Sequence, residues 1–290
     1  MKPKFDIKDP RVKKAMEELA KIQQFALSAD PKIEKAVIPI AYYKDPDKKL
    51  SRPELNGSGV LIKIKNLYFI FTATHVLLPL KHNAIITGVG NGDFIENLSG
   101  ERYSTGNPDY PEDDQYDATV YHITSGMSNM LKEKALNLSD IELKEIPQTK
   151  SIYLVSGFPA KKSLSEKGKI ESKKDLFASF EFSLEIYEKL NYNPKSHIIL
   201  TYEDLVLTKE QWLTSPRPQG VSGGAIIRIN GLSIFPTNIE TKTPVQKLSS
   251  IMTQHHREKN RNPGYILGTR INVFLGLLKK YFPKLVDDFL

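Results

Sequence analysis

The sequence contains no cysteine and only one tryptophan among its 290 residues. Without cysteine there is no disulfide framework, no thiolate nucleophile and no cysteine-bound metal, and a reducing compartment is favoured. Long apolar runs are also missing. The longest stretches, such as Leu67-Tyr68-Phe69-Ile70-Phe71 and Val273-Phe274-Leu275, fall far short of a membrane span. The opening Met1-Lys2-Pro3-Lys4-Phe5-Asp6 leads into no apolar core, so no secretory signal is expected and the cytoplasm is the expected location. No internal repeat is visible. Hydrophobic residues make up 40% and charged residues 26%, the balance of a soluble globular chain. The net charge of +7 is a moderate lysine excess, read first as solubility and only second as an attraction for nucleic acid.

From Pro10 to about Ser28 the apolar residues Val12, Ala15, Met16, Leu19, Ile22 and Ala26 recur at helical spacing, with Asp9 placed to cap and Pro10 suited to the first turn. Short β-like runs follow. Ala36–Ile40, Gly59–Ile64, Tyr68–Thr72, Ala84–Ile86 and Ala118–Ile123 read as strands, with Lys65-Asn66 as a tight hairpin. Ser128–Leu143 reads as a helical or irregular connector. A second set comprises Ser151–Val155, Phe177–Phe182, His197–Leu200, Ala225–Ile229, Leu232–Phe235 and Gly264–Gly268. An amphipathic helix begins near Ile271, with Pro283 placed to kink it. Glu240–Pro263 reads as a polar insertion, either a surface loop or a lid. The lysine-rich Lys161–Lys174 reads as a surface segment or a basic patch.

The chemistry-bearing motifs come in one order: Gly57-Ser58-Gly59-Val60, Thr72-Ala73-Thr74-His75, Asp117 at the head of an apolar strand, Gly157-Phe158-Pro159, and Gly220-Val221-Ser222-Gly223-Gly224. A serine becomes a nucleophile at neutral pH only if a base takes its proton, a third group orients that base, and donors face the developing oxyanion. Each motif is weak alone; their order is the signal. Together they resemble the chymotrypsin/trypsin-like serine peptidases, in a bacterial-type, disulfide-free form. The resemblance covers the pattern of residues 35–275 and carries departures: Thr74 replaces a small residue, and Ala225 a common proline. Val221 stands where proteolytically activated members have an aspartate, which implies that this chain is not activated that way.

The resemblance implies an all-β double Greek-key β-barrel of the chymotrypsin type, each barrel six-stranded, with flanking N- and C-terminal helices. The expected boundaries are a helical extension over 1–30, a first barrel over 31–125, a connector over 126–148, a second barrel over 149–270 and a terminal helix over 271–290. The implied activity is peptide-bond hydrolysis through an acyl-enzyme on Ser222, with His75 as base and Asp117 as orienting acid. The backbone N–H groups of Gly220 and Ser222 are the implied oxyanion donors. Asp113 and Asp114 are rival acids; His82, His122 and His197 read as packing or surface residues. No cofactor or metal is needed. The residues Ser215–Gln219 and Phe235–Asn238, expected near the specificity pocket, offer no carboxylate, which disfavours cleavage after basic residues. The expected partners are a protein or peptide substrate and a regulatory protein that gates it, with no membrane association. The alternative is a catalytically silent fold serving as a protein- or nucleic-acid-binding module, the latter through Arg257, Lys259 and Arg261.

Overall fold

The computed structural model describes residues 9–28, 30–43, 53–80, 84–89, 94–106, 113–143, 151–159, 163–166, 169–172, 174–202, 205–208, 211–214, 218, 220–230, 245–258 and 263–287. Helix α1, Pro10–Leu27, starts where the sequence places it: the Asp9 carboxylate accepts the Arg11 N–H and Pro10 occupies the first turn. Ile22 and Ala26 are buried, whereas Val12, Met16 and Leu19 are only partly covered. Helix α2, Lys32–Ala36, then runs directly into the first strand.

That strand, β1 (Val37–Tyr43), is followed by β2 (Pro53–Ile64), β3 (Leu67–Ala73), helix α3 (Thr74–Leu77), β4 (Ala84–Val89), β5 (Phe94–Ser104) and β6 (Ala118–Ser125). The six strands close a barrel in the order β1-β2-β3-β6-β5-β4. Lys65-Asn66 turns β2 into β3, with Lys65 at φ +52°. Strand β5 has no counterpart in the sequence reading, because its half-exposed, polar run lacks a clear alternation.

Residues 126–143 carry the short helix α4, Asn129–Lys132, and connect the two halves. This connector pairs with both. Leu136 exchanges backbone bonds with Leu61 and Lys63 of β2 at 2.9 and 2.7 Å, and the Glu142 N–H donates to Leu248 O at 3.0 Å.

The second half contains β7 (Ile152–Gly157), the β8–β9 hairpin (Ser163–Glu166, Lys169–Ser172), β10 (Asp175–Phe180) and helix α5 (Leu184–Leu190). It continues with β11 (His197–Thr201), the β12–β13 hairpin (Leu205–Thr208, Gln211–Thr214), β14 (Ala225–Asn230), β15 (Val245–His256) and β16 (Tyr265–Arg270). Its main sheet has the order β10-β7-β14-β15-β16-β11. The outer strands curl toward each other and meet at a Glu181–Leu200 bridge. Helices α6 (Ile271–Tyr281) and α7 (Pro283–Val286) end the described chain, and Pro283 opens the second of them, which divides the expected single helix.

Strand β15 corrects one expectation. Half of the polar insertion expected over Glu240–Pro263 is a central strand, with Leu248–Thr253 buried. Its buried positions include Ser249, Ser250 and Thr253, which hid a core strand inside a polar-looking segment. The expected strand Leu232–Phe235 lies outside the described residues.

Both faces of the strands are apolar, for a reason visible in the packing. Ile38, Ile40, Leu61, Ile70 and Tyr121 fill the first barrel. Tyr153, Val155, Ile226, Met252 and Ile266 fill the second. Alternate residues on the same strands, among them Val60, Ile62, Phe69 and Phe71 of the first barrel and Leu154, Ile227 and Leu248 of the second, join Phe274 and Leu278 of α6 in one shared middle layer. Strands covered on both sides read as near-continuous apolar runs.

Candidate active site

The antiparallel pairing of β3 with β6 brings the first two site residues together. The register sets Ala73 opposite Ala118, so the chain leaving β3 and the chain entering β6 lie side by side at one end of the barrel. His75 is two residues beyond that pair and Asp117 one residue before it. Asp117 takes φ +48°, a left-handed conformation that aspartate tolerates better than most residues. In that conformation it holds the His75 segment three times. Its carbonyl accepts the Thr74 N–H at 3.1 Å. Its Oδ1 accepts the His75 N–H at 3.0 Å, and its Oδ2 lies 2.6 Å from His75 Nδ1.

An ionised carboxylate can only accept, so the Asp117 contact places the proton of a neutral His75 ring on Nδ1. The lone pair is then on Nε2. The His75 side chain is 44% exposed and Asp117 14%, so the imidazole reaches solvent while the carboxylate is sheltered.

The rival acid is engaged elsewhere. Asp114 accepts both the Thr105 hydroxyl, at 2.8 and 2.6 Å to its two oxygens, and the Tyr116 N–H at 3.1 Å. It therefore shapes the loop that precedes Asp117. Thr74, the departure noted in the sequence, is buried and accepts the Thr119 hydroxyl at 3.0 Å, which in turn meets Ser104 Oγ at 2.6 Å. His197 contributes from the second half. It is buried, its Nε2 lies 2.9 Å from Gln115 O, and its ring stacks on Tyr116 at 5.6 Å. Thr269 donates its hydroxyl to Tyr116 O. The loop carrying Asp117 is thus fastened to the opposite sheet, a role for His197 that its sequence context did not signal.

Ser222 arrives from the second half on the turn before β14. Gly57 lies between the Ser222 carbonyl and Val76, the residue after His75: a β-carbon at Gly57 would meet Val76 Cγ2 at 2.7 Å and Ser222 O at 2.9 Å. Only glycine permits this approach of the two halves. Gly223, at φ +81°, is equally constrained, since its β-carbon would stand 1.9 Å from Ser58 O. The Ser222 hydroxyl donates to Thr253 O at 3.1 Å, and it makes no hydrogen bond to His75 among the described residues. The backbone N–H groups of Gly220 and Ser222 likewise have no acceptor among the described residues.

Val221 is fully buried, against Gly157 at the end of β7. Behind that turn, Lys174 lies over the Phe158 ring at 5.3 Å and donates to Glu34 O of α2. Burial pushes its ammonium down to about 8, against the opposing pull of Glu34. No group of three or more metal-ligating side chains occurs among the described residues. No helix among them is long and apolar enough to cross a membrane. His82, Ser215–Arg217, Gln219, Phe235–Asn238, Lys259 and Arg261 lie outside the described residues, and with them most of the expected specificity pocket. Arg257 is described, just after β15.

Among solved structures the chain is similar to neuropsin, a serine protease expressed in the limbic system of mouse brain. The TM-score is 0.53 and the identity 13%, over 87% of this chain and 96% of that one. The likeness shows the fold, a chymotrypsin-like double barrel with helices at either end. No protein-family model matches the sequence, and no curated protein matches it.

Proposed function

We propose that this chain is a serine hydrolase acting on peptide bonds, with Ser222 as nucleophile, His75 as general base and Asp117 as the group that orients it. The observation that carries the reading is the double hold of one carboxylate on both the backbone N–H and the ring Nδ1 of His75. A structural histidine needs neither the oriented ring nor its half-exposed position. In the proposed reaction His75 Nε2 takes the Ser222 hydroxyl proton as the oxygen attacks the carbonyl carbon. The same proton goes to the leaving amine as the acyl-enzyme forms. Asp117 stays ionised and stabilises the imidazolium. The negative charge on the substrate oxygen falls to the N–H groups of Gly220 and Ser222, which have no acceptor among the described residues.

For attack, the Ser222 hydroxyl must leave Thr253 O for His75. This same contact favours a second reading, a silent double barrel that binds a partner without cleaving it. Regulation by a partner remains part of the proposal, although residues 245–256 supply no lid, since they lie in the sheet. Covalent labelling by a fluorescent fluorophosphonate separates the readings. The hydrolase predicts labelling of the wild type and none of Ser222→Ala; absence of labelling in both sinks it.

A further inference from the structure

We propose that Ser58 is a positioning residue that holds the Gly220–Gly224 turn in the conformation oxyanion stabilisation requires. The inference rests on the hydrolase reading above. Ser58 lies on β2, in the first barrel, and is fully buried. It reaches across to the other half through both its backbone and its side chain. Its N–H donates to Ser222 O at 2.8 Å. Its hydroxyl donates to Gly220 O at 3.2 Å and accepts the Phe158 N–H at 2.9 Å. Its carbonyl is itself held by the Thr72 hydroxyl at 2.7 Å.

The geometry matters because of which peptide planes it touches. The C=O of one residue and the N–H of the next lie in a single rigid plane. Ser58 holds the planes that begin at Gly220 and at Ser222, on either side of the plane that carries the Ser222 N–H. That middle plane is fastened at its other end, where Val221 O accepts the Gly224 N–H at 2.8 Å. The turn supplies only part of this order itself, through the Val221 N–H on Pro218 O at 3.2 Å and the Gly224 N–H on Val221 O. Gly220 stands at φ +91° and Gly223 at φ +81°, and glycine adopts alternative peptide orientations there at little cost. A donor and an acceptor on one small side chain are needed to tie Gly220 O to Phe158 N, and the serine hydroxyl is both. Ser58 touches no reacting atom; it acts through the turn.

The test is Ser58→Ala, which removes the hydroxyl and leaves the backbone bond to Ser222 O. With a peptide ester substrate and active-site titration to count folded enzyme, kcat is expected to fall about tenfold or more, as small misplacements in a catalytic site do. KM stays within about twofold, and the shape of the pH profile is unchanged because the His75–Asp117 contact is untouched. In the resting protein, the amides of Val221, Gly223 and Gly224 are expected to exchange hydrogen at least tenfold faster, while those of Ile226–Ile229 in β14 do not change. Ser58→Cys keeps a weaker donor and acceptor in place; it should fall between the two, and it carries the same comparison if the alanine variant does not fold. Unchanged exchange in the turn, or unchanged kcat, overturns the proposal. A wild type with no Ser222-dependent turnover or labelling overturns the hydrolase reading instead, and the exchange comparison still decides whether Ser58 holds the turn.

Discussion

His75 and Asp117 come from adjoining strands of one barrel and are joined by direct side-chain contacts, whereas Ser222 comes from a glycine-rich turn of the other half. The His75–Asp117 contact is made by strand register at one end of the barrel, with the Asp117 loop fastened to the second half through His197 and Thr269. The nucleophile turn is held by carbonyls and N–H groups borrowed from its surroundings: Ser58, Met252, Pro218 and the turn's own Val221. The pair is thus joined by direct side-chain contact and the turn mainly by backbone bonds, and each leans on the half that does not carry it.

The largest expected effects remove the reacting groups. Ser222→Ala and His75→Ala should each lower turnover by about a millionfold, measured on a peptide ester, because the two act as a unit. Similar residual rates in both variants would confirm that unit; a mild effect of His75→Ala would break it. Asp117→Asn tests the acid–base half alone. It keeps the shape but offers an amide donor to Nδ1, and about a ten-thousandfold loss of kcat with an intact melting curve is expected. A loss of tenfold or less would mean that another group orients His75.

The next effect concerns the nucleophile half and stability. Val221→Asp puts a carboxylate where a fully buried valine packs against Gly157, and should cost roughly 3 kcal/mol in urea unfolding. A neutral outcome would show that the turn has room for an ionic latch after all.

The smallest effect is in the backing of that turn. The Lys174 ammonium is lowered from its usual 10.5 to about 8 by burial. A base whose folded value lies below its unfolded one penalises folding while both states are protonated, below about pH 8. The penalty is relieved as pH rises from about 8 to 10.5, where the unfolded chain holds the extra proton. Lys174→Met should therefore be more stable than wild type by about 1 kcal/mol at pH 7, an amount reduced by loss of the bond to Glu34 O. The advantage should shrink steadily toward pH 10.5. A difference that does not vary with pH would place the ammonium in water.

The order of motifs was enough to read the double barrel and the meeting of His75 with Asp117, because each motif carries a local constraint: a glycine approach, a strand end, an apolar run. That Asp117, not Asp114, contacts the His75 ring follows from the same pattern, since Asp117 adjoins the strand that pairs with β3. Strand β15 was not legible. Ser249, Ser250 and Thr253 occupy buried positions on it, and the polar His255-His256-Arg257 that follows made the whole segment look solvated. Strand β5 and helix α5 were missed for the complementary reason that they are only partly covered and show weak periodicity. Ser58 and His197 act through long-range hydrogen bonds, to Gly220 and Gln115, that no local pattern encodes.

The shared middle layer has a bearing on what can be exchanged between proteins of this shape. Residues from β2, β3, β7, β14, β15 and α6 all lie in that layer, so neither barrel covers the outer apolar face of its strands without the other. A chain cut in the connector at 126–143 should yield two fragments that are each insoluble alone and soluble when mixed. Grafting one barrel from a distant relative would fail unless the facing half came with it. Inheritance would then act on the pair of barrels as one unit, and new specificities would arise in surface loops instead of by trading halves.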